Sequence, residues 1–425
     1  MLLLLLLLIS SFVSCTTDAS LEFSVAAEQY KVMKIKLYVV LPSNKNMVDL
    51  DLVSSTVKKD LEFTKQFALD LQIGNALPQR AEIVSWAQHD IPFAVFVTFT
   101  NDSIEWRLYD TSQVAMIKGK KIELEKNNRI LAHRLADSLW QELTGKKGFF
   151  STKIAYCKER SYKKKLIKSI YIADYDGSYE QCVIDSPTLN IAPRWNNDYD
   201  NPLLFFSELT NTNMRLASID FKGHKKIASN FAGLNMLPSF SDDGKAVVYA
   251  ASRGAGNCQL YYYKKGYFKR LTHNTGNNVS PVFIDDNTLA FCSDFKNGKP
   301  HLYTYDLKTG AIELLSEGYC CTPTYNSTSK LLAYGKMVKG CLQLFTYHTV
   351  TKEHTQITFD PTNKEECSWS PCGSFLLYAS ENKGQSRIAM FNIATNQMSY
   401  ITSSKDKCSY PVWSGNYRVI PNTWL

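Results

Sequence analysis

The stretch Lys407–Asn416, KCSYPVWSGN, places a proline two residues ahead of a tryptophan and follows it with a Ser-Gly turn, nine residues before the sequence ends. The same phrase stands upstream as APRW at Pro193, LPSF at Pro238, SPVF at Pro281 and TPTY at Pro323. It returns with cysteine in the proline's place as CSWS at Cys367. Successive steps are 45, 43, 42, 44 and 44 residues, and Trp195, Phe240, Phe283, Tyr325, Trp369 and Trp413 keep one register. Each of the first five copies leads into a turn (SDDG at Ser241–Gly244, SPCG at Ser370–Gly373) and a short apolar strand such as AVVYA or FLLYA. Then come a Tyr/Phe-rich alternating strand such as CQLYYYKKG and a fourth such as IELLSE. Four short strands per repeat of this length are the signature of a β-propeller blade.

The copies are out of phase. Six sets of second, third and fourth strands begin at Lys153, and six first strands begin at the Pro193 phrase. The first set lacks an opening strand, and the phrase at Pro411 lacks a following set. Pairing the Pro411 strand into the first set predicts six complete blades and a ring with no open inner edge.

Residues 30–145 follow another pattern. KVMKIKLYVVLP, PFAVFVTF and the pair within IEWRLYDTSQVAMIKGKKI read as strands. SSTVKKDLEFTKQFALDL has helical spacing through Val57, Leu61 and Phe67, with Ser54 or Ser55 expected as N-cap. In NNRILAHRLADSLWQELTGKKG, Leu131, Leu135, Leu139 and Leu143 share a helical face between an Asn127 or Asn128 cap and Gly145. The expected class is mainly β: a six-bladed propeller over 146–416, preceded by a small α/β domain over 16–145 and followed by a 417–425 tail.

The leader MLLLLLLLISSFVSC has an apolar run too short to span a bilayer and suits a signal peptide over residues 1–15, although no Lys or Arg precedes it. Ordinary cleavage after Cys15 and lipidation of Cys15 are both compatible with FVSC. Hydrophobic residues at 44% indicate a well-buried protein, and 24 Tyr with 22 Phe favour strands. The net charge of +8 is spread along the chain apart from Lys163–Lys165, so no nucleic-acid footprint is present. Eleven cysteines include no CxxC pair and no zinc spacing.

AHRLADSLWQELTGKKGFFSTKIAY (Ala132–Tyr156), WRLYDTSQVAMIKGKKI and LPSFSDDGKAVVYA (Leu237–Ala250) resemble the domain junction, the preceding strand pair and the blade repeat of the TolB family, over about residues 30–415. The resemblance implies a non-catalytic, monomeric periplasmic protein of the Tol-Pal system, serving outer-membrane integrity and invagination during division. It implies a Pal-like outer-membrane lipoprotein as partner, bound at loops leading into the proline phrases. Matched by phrase, those positions are Leu234, Leu237 and Val279. It also implies a TolA-like inner-membrane partner for the N-terminal segment, although TTDASLEFSVAAEQY carries no matching motif.

No catalytic, cofactor or metal site is expected: GxSxG, HExxH and Walker sequences are absent. The histidines His89, His133, His224, His273, His301, His348 and His354 are dispersed. Asp242-Asp243-Gly244 reads as a hairpin turn before it reads as a cation loop. Trp195, Trp369 and Trp413 read as packing residues before a sugar platform, and Cys157, Cys258, Cys292 and Cys341 as small buried hydrophobes. The competing class is a propeller-fold glycan binder or sialidase-like hydrolase. SFSDDGKAVV lacks the tryptophan and spacing of a sialidase box, and a peptidase would need a hydrolase domain outside residues 30–415.

Overall fold

A computed structural model describes residues 32–42, 48–163, 165–253 and 256–417. The expected leader, Cys15 and the N-terminal segment lie outside the described residues. The first domain is a five-stranded sheet in the order β2-β1-β3-β4-β5, with β1 at Met33–Val40, β2 at Phe67–Gly74, β3 at Phe93–Phe99, β4 at Ser103–Asp110 and β5 at Ala115–Glu123. β1 is parallel to both β2 and β3. Helices α1 (Leu50–Phe63) and α3 (Asn128–Thr144) cover one face through Val57, Leu61, Leu131, Leu135 and Leu139. The short helix α2 (Arg80–Gln88) covers the other through Ile83 and Trp86.

The expected helix over 54–71 is corrected at both ends. It starts earlier, because the Asp49 carboxylate accepts the Leu52 N–H and caps it in place of Ser54 or Ser55. It stops at Phe63, and Lys65 turns left-handed at φ 60°. FALDLQIG then alternates with period two, so Phe67 is buried from a strand. α3 has its expected cap, with Asn127 Oδ1 accepting the N–H groups of Arg129 and Ile130, and Gly145 ends it at φ 71°.

The remaining strands form six antiparallel four-stranded sheets. Blade 1 is composite. Its innermost strand is Lys407–Trp413, paired antiparallel with Lys153–Tyr162, followed by Lys165–Asp174 and Gln181–Ile184. Blades 2 to 6 open with Asn190–Trp195, Asn235–Phe240, Asn278–Phe283, Cys320–Asn326 and Asn363–Trp369. The closing strand is locked beyond its ladder. Ser414 N–H donates to Lys153 O (2.8 Å), Lys153 N–H to Ser414 Oγ (2.9 Å), and the Trp413 indole to Thr152 Oγ1 (2.7 Å). Past it, Tyr417 packs on Trp195 of blade 2 and donates to Asn196 O.

The proline phrase has a backbone function. Ala192, Leu237, Ser280, Thr322, Glu366 and Tyr410 each precede the phrase's Pro or Cys, and all have φ between 45° and 59°. In every blade the pairing of first and second strands shifts register across that residue, which marks a β-bulge. Proline is tolerated at a bulge because no ladder N–H is required there. Backbone groups of one inner strand are instead met by the neighbouring blade. Phe283 N–H donates to Ser239 Oγ (3.3 Å), Glu366 N–H to Thr322 Oγ1 (3.3 Å), Trp413 N–H to Ser368 Oγ (2.9 Å), and Tyr410 N–H to the Glu366 carboxylate. Cys367 holds the same bend without proline, its thiol directed to Thr322 O at 3.5 Å.

The domains meet over blades 6 and 1, on the face that carries the turns joining strands one to two and three to four. Phe149 packs on Phe375, Tyr175 and Trp413. Asp137 accepts the N–H groups of Phe150 and Ser151, and a Cβ at Gly148 would fall 2.4 Å from Asp137, so only glycine fits. Beside this lies a buried ionic cluster drawn from both domains. His133 Nδ1 is 2.6 Å from Asp60, Tyr175 donates to Asp60 at 2.9 Å, and Asp174 takes Arg129 at 2.6 Å and Lys153 at 2.5 Å. Burial alone would lower the His133 pKa, but Asp60 and Asp174 outweigh it and raise it to about 9, so the ring is charged at neutral pH.

Two outcomes follow. Truncation after Thr402 removes the inner strand of blade 1 and exposes Val412 and Trp413, whose burial is worth on the order of 4–6 kcal/mol. Against a typical domain stability of about 5–15 kcal/mol, the truncated chain should aggregate or melt far below the parent; unchanged melting with monomeric elution would contradict closure. The second concerns Glu366. Burial, with Glu365 adding to it, raises its pKa from 4.5 to about 7, against the Tyr410 N–H, Arg194 and Lys168. Its folded-state pKa exceeds the unfolded one, so the charge penalty is absent below about pH 4.5 and complete above about pH 7. Glu366→Gln should therefore stabilise the protein at pH 8 by up to about 3 kcal/mol, less what solvent screens at this half-buried position. The gain should vanish at pH 4.5; a gap independent of pH in denaturant titrations would refute it.

Candidate partner-binding face

The connections from each fourth strand to the next first strand lie on the face opposite the N-terminal domain and surround one mouth of the channel. Their shape is fixed by side chains of the third strands. Gln259 Nε2 donates to Asn274 O and Gly276 O, Gln343 to Asp360 O and Thr362 O, and Gln385 to Ser404 O and Asp406 O. Thr272, Thr358 and Thr402 each accept a third-strand N–H at 2.8–2.9 Å. In the connection entering blade 6, the buried Lys364 ammonium reaches Asp360 Oδ1 (2.5 Å), Thr362 O and Thr362 Oγ1 (both 2.7 Å). Satisfied loop backbones of this kind hold a recognition surface still.

The three positions matched by phrase are distributed over this architecture. Leu234 is on the connection entering blade 3, exposed, its N–H on Ser252 Oγ (2.9 Å) and its carbonyl taking the Ser252 N–H (3.0 Å). Leu237 and Val279 lie within first strands, not in the loops ahead of them. Leu237 is half-buried at the left-handed bulge. Val279 packs against the cores on both sides of it and is tied to the blade 3–blade 4 contact. Sequence reading did not single out Phe359 and Tyr319, which stand 77% and 44% exposed on connections of the same face. With Phe231 and Leu234 they give the mouth an exposed apolar set.

The other end of the channel opens toward the N-terminal domain as a cavity of about 450 Å³, walled in part by Trp195, Phe240, Phe283, Tyr325, Trp369 and Trp413. The three tryptophans are 5–7% exposed and packed between blades, with the Trp369 indole donating to Thr324 O of the preceding blade at 3.2 Å. They do not present open faces for a sugar. Asp243 accepts Ser241 Oγ (2.6 Å) and Lys245 N–H (3.0 Å) beside Gly244 at φ 67°, an Asp-Gly hairpin turn. The Ser241 hydrogen bond leads in lowering the Asp243 pKa to about 2.

His133 has Asp60 on one ring nitrogen and Asp174 3.5 Å from the other, so it faces no nucleophile. His301 is held by Asn297 and the Gly318 N–H, and His273 is exposed. Among the described residues no group of three His, Cys, Asp or Glu side chains is arranged to hold a metal ion. The ten described cysteines are free thiols. Burial raises the thiol pKa of Cys157 and Cys367 far above the ordinary value and that of Cys321 to about 12, which leaves them unreactive. No helix among the described residues is long and apolar enough to cross a membrane.

Comparison with known proteins agrees with this architecture. A TolB protein of the Tol-Pal system from Francisella tularensis subsp. holarctica (strain OSU18) is 27% identical over 364 residues, covering 80% of this chain and 82% of that one. Its counterpart from F. tularensis subsp. tularensis (strain FSC 198) is 26% identical over the same length, 80% of this chain and 81% of that one. The crystal structure of TolB from Acinetobacter baumannii superposes with a TM-score of 0.74 at 23% identity, over 90% of this chain and 97% of that one, and so has the same fold. The family model of the TolB beta propeller domain matches residues 140–418, from the end of α3 through the closing strand, and the chain belongs to the TolB family.

Proposed function

We propose that this protein is a non-catalytic periplasmic component of the Tol-Pal system that binds a Pal-like outer-membrane lipoprotein at the channel mouth opposite its N-terminal domain. The observation that carries the reading is family membership alongside relatives named as Tol-Pal system proteins. The architecture supports it. The connections of the mouth are stitched by glutamine and threonine side chains, and apolar groups are exposed on it. Interfaces draw most of their affinity from a few such anchors seated in dry pockets. In this reading Leu234 and Leu237 contact the partner, Val279 holds the wall behind them, and the protein contributes to outer-membrane integrity and invagination during division. A TolA-like contact falls to residues before the first strand.

Calorimetric titration with the cognate Pal domain tests the site. Leu237→Asp suits the left-handed backbone, which tolerates aspartate, but puts a charge where an apolar anchor is needed. It should weaken binding by about 2 kcal/mol or more, roughly thirtyfold. Lys222→Asp, in the turn between the third and fourth strands of blade 2 on the opposite face, should bind as the parent does. A Leu237→Asp protein with parental melting and parental affinity would remove the contact from this position. A parent that binds no Pal domain would overturn the adaptor reading itself.

A further inference from the structure

The outer rim of blade 3 carries three lysines, Lys264, Lys265 and Lys269, and an exposed Tyr267 that neither the fold nor the mouth uses. From Gly244 to Ile284 the chain contains no Asp or Glu. At the centre of this segment lies the hairpin of Gln259–Lys264 and Tyr267–Arg270, in register Lys264↔Tyr267 and Tyr263↔Phe268. Tyr267–Arg270 is the outermost strand of its blade, paired on one side, with every residue exposed. Among the described residues Lys264, Lys265 and Lys269 form no ion pair, and the Arg270 guanidinium donates to Thr272 O (2.8 Å) and to no carboxylate; Asp243, the carboxylate that feels Lys264, already has Lys245 at 3.6 Å. Tyr267 stands 59% exposed on the sheet face that also carries Lys264 and Lys269, and Tyr263 and Phe268 are exposed on the other face of the same edge. The Arg253 guanidinium, 5.0 Å from the Phe268 ring and 3.7 Å from that of Phe231, continues the stripe.

Lysine on a sheet edge ordinarily blocks edge-to-edge pairing, and exposed apolar groups recur on other rims. Those rims differ in charge. The outer strand of blade 4, Ile312–Ser316, exposes Ile312 and Leu314 beside Glu313, and that of blade 6, Gln397–Tyr400, has no charged residue. In blade 2 the rim Lys225 is neutralised by Glu208 at 2.7 Å, which leaves Lys226, among the described residues, as the one unpaired cation of an outer strand, KKIAS, that has no tyrosine. Blade 3 combines unpaired cations with tyrosines, the pair of residue types suited to a headgroup layer: the rings sit at the polar–apolar boundary and the cations over phosphates. The side chains of this edge strand alternate between the two faces of the blade and line no pocket, which disfavours an acidic peptide, whose anchors need one.

The geometry points to the Lys264–Arg270 rim of blade 3 as a docking surface for an anionic lipid bilayer. The test is co-sedimentation of the full chain with phosphatidylcholine vesicles and with vesicles in which phosphatidylglycerol replaces part of the phosphatidylcholine; the difference between them is the readout. The parent should prefer the anionic vesicles and lose that preference in high salt. Each surface lysine is worth about fivefold in membrane partitioning, so the K264E/K265E/K269E protein should lose the preference by at least a hundredfold. Tyr267→Ser should weaken it severalfold, and Lys222→Glu should leave it intact, all at parental melting temperature. Equal binding to both vesicle types, or a triple variant that behaves as the parent, would overturn the proposal. So would displacement of the vesicles by soluble poly-glutamate at matched charge, which would assign the rim to an acidic protein.

Discussion

The structure depends on backbone pairing between two segments far apart in the chain. Lys407–Trp413 supplies the inner strand of the blade that Lys153–Tyr162 begins, and hydrogen bonds between residues 261 positions apart lock the seam. A propeller blade is stabilised by the blades on either side of it, so an unclosed ring leaves two blades with bare flanks. Closure also completes the domain junction, because Phe149 is buried between Phe375 of blade 6 and Trp413 of the closing strand. Pairing at this separation is entropically costly to reach, and the reward arrives only when the last strand docks.

A second constraint is repeated around the ring. Six non-glycine residues accept a left-handed backbone, each at a cost of about 1–2 kcal/mol. The bulge this creates bends the inner strand and turns its polar groups toward the next blade. Serine, threonine and glutamate side chains of neighbouring blades then take up the freed N–H groups. At the bulges of blades 4, 6 and 1 the strain is thus offset by contacts that tie neighbouring blades together. Glu366 is the one charged member of the left-handed set. It accepts the Tyr410 N–H at the seam while burial works against its ionisation.

Much of this was legible in the sequence. The register of Trp195 through Trp413 gave blade number, blade boundaries and the composite first blade, because the packing positions between blades demand an aromatic at each repeat. Asn127 and Gly145 bracket α3 by ordinary capping chemistry. The bulges were not legible as such. The left-handed residue is Ala, Leu, Ser, Thr, Glu or Tyr, so no glycine marks it, and only the following proline hints at the break. α1 was misplaced because Asp49 competes with Ser54 and Ser55 as a cap, and the helical spacing of Val57 and Leu61 runs into a strand whose first residue, Phe67, falls in phase. α2 has no side-chain cap to announce it. Phe359 and Tyr319 are not legible because connections carry no period, and their exposure is set by side chains of the third strands, Gln343 on the Phe359 connection and His301, which takes the Gly318 N–H, on that of Tyr319.

Closure is tested most directly by native-state hydrogen exchange resolved at the closing strand. If Lys407–Trp413 is an integral inner strand, its ladder amides should exchange only with global unfolding, at the same rate as their partners in Lys153–Tyr162. Exchange of Cys408 and Val412 at rates typical of a frayed terminus, while the inner strands of blades 2 to 6 stay protected, would contradict the account: the ring would then be held by five blades, with the sixth open.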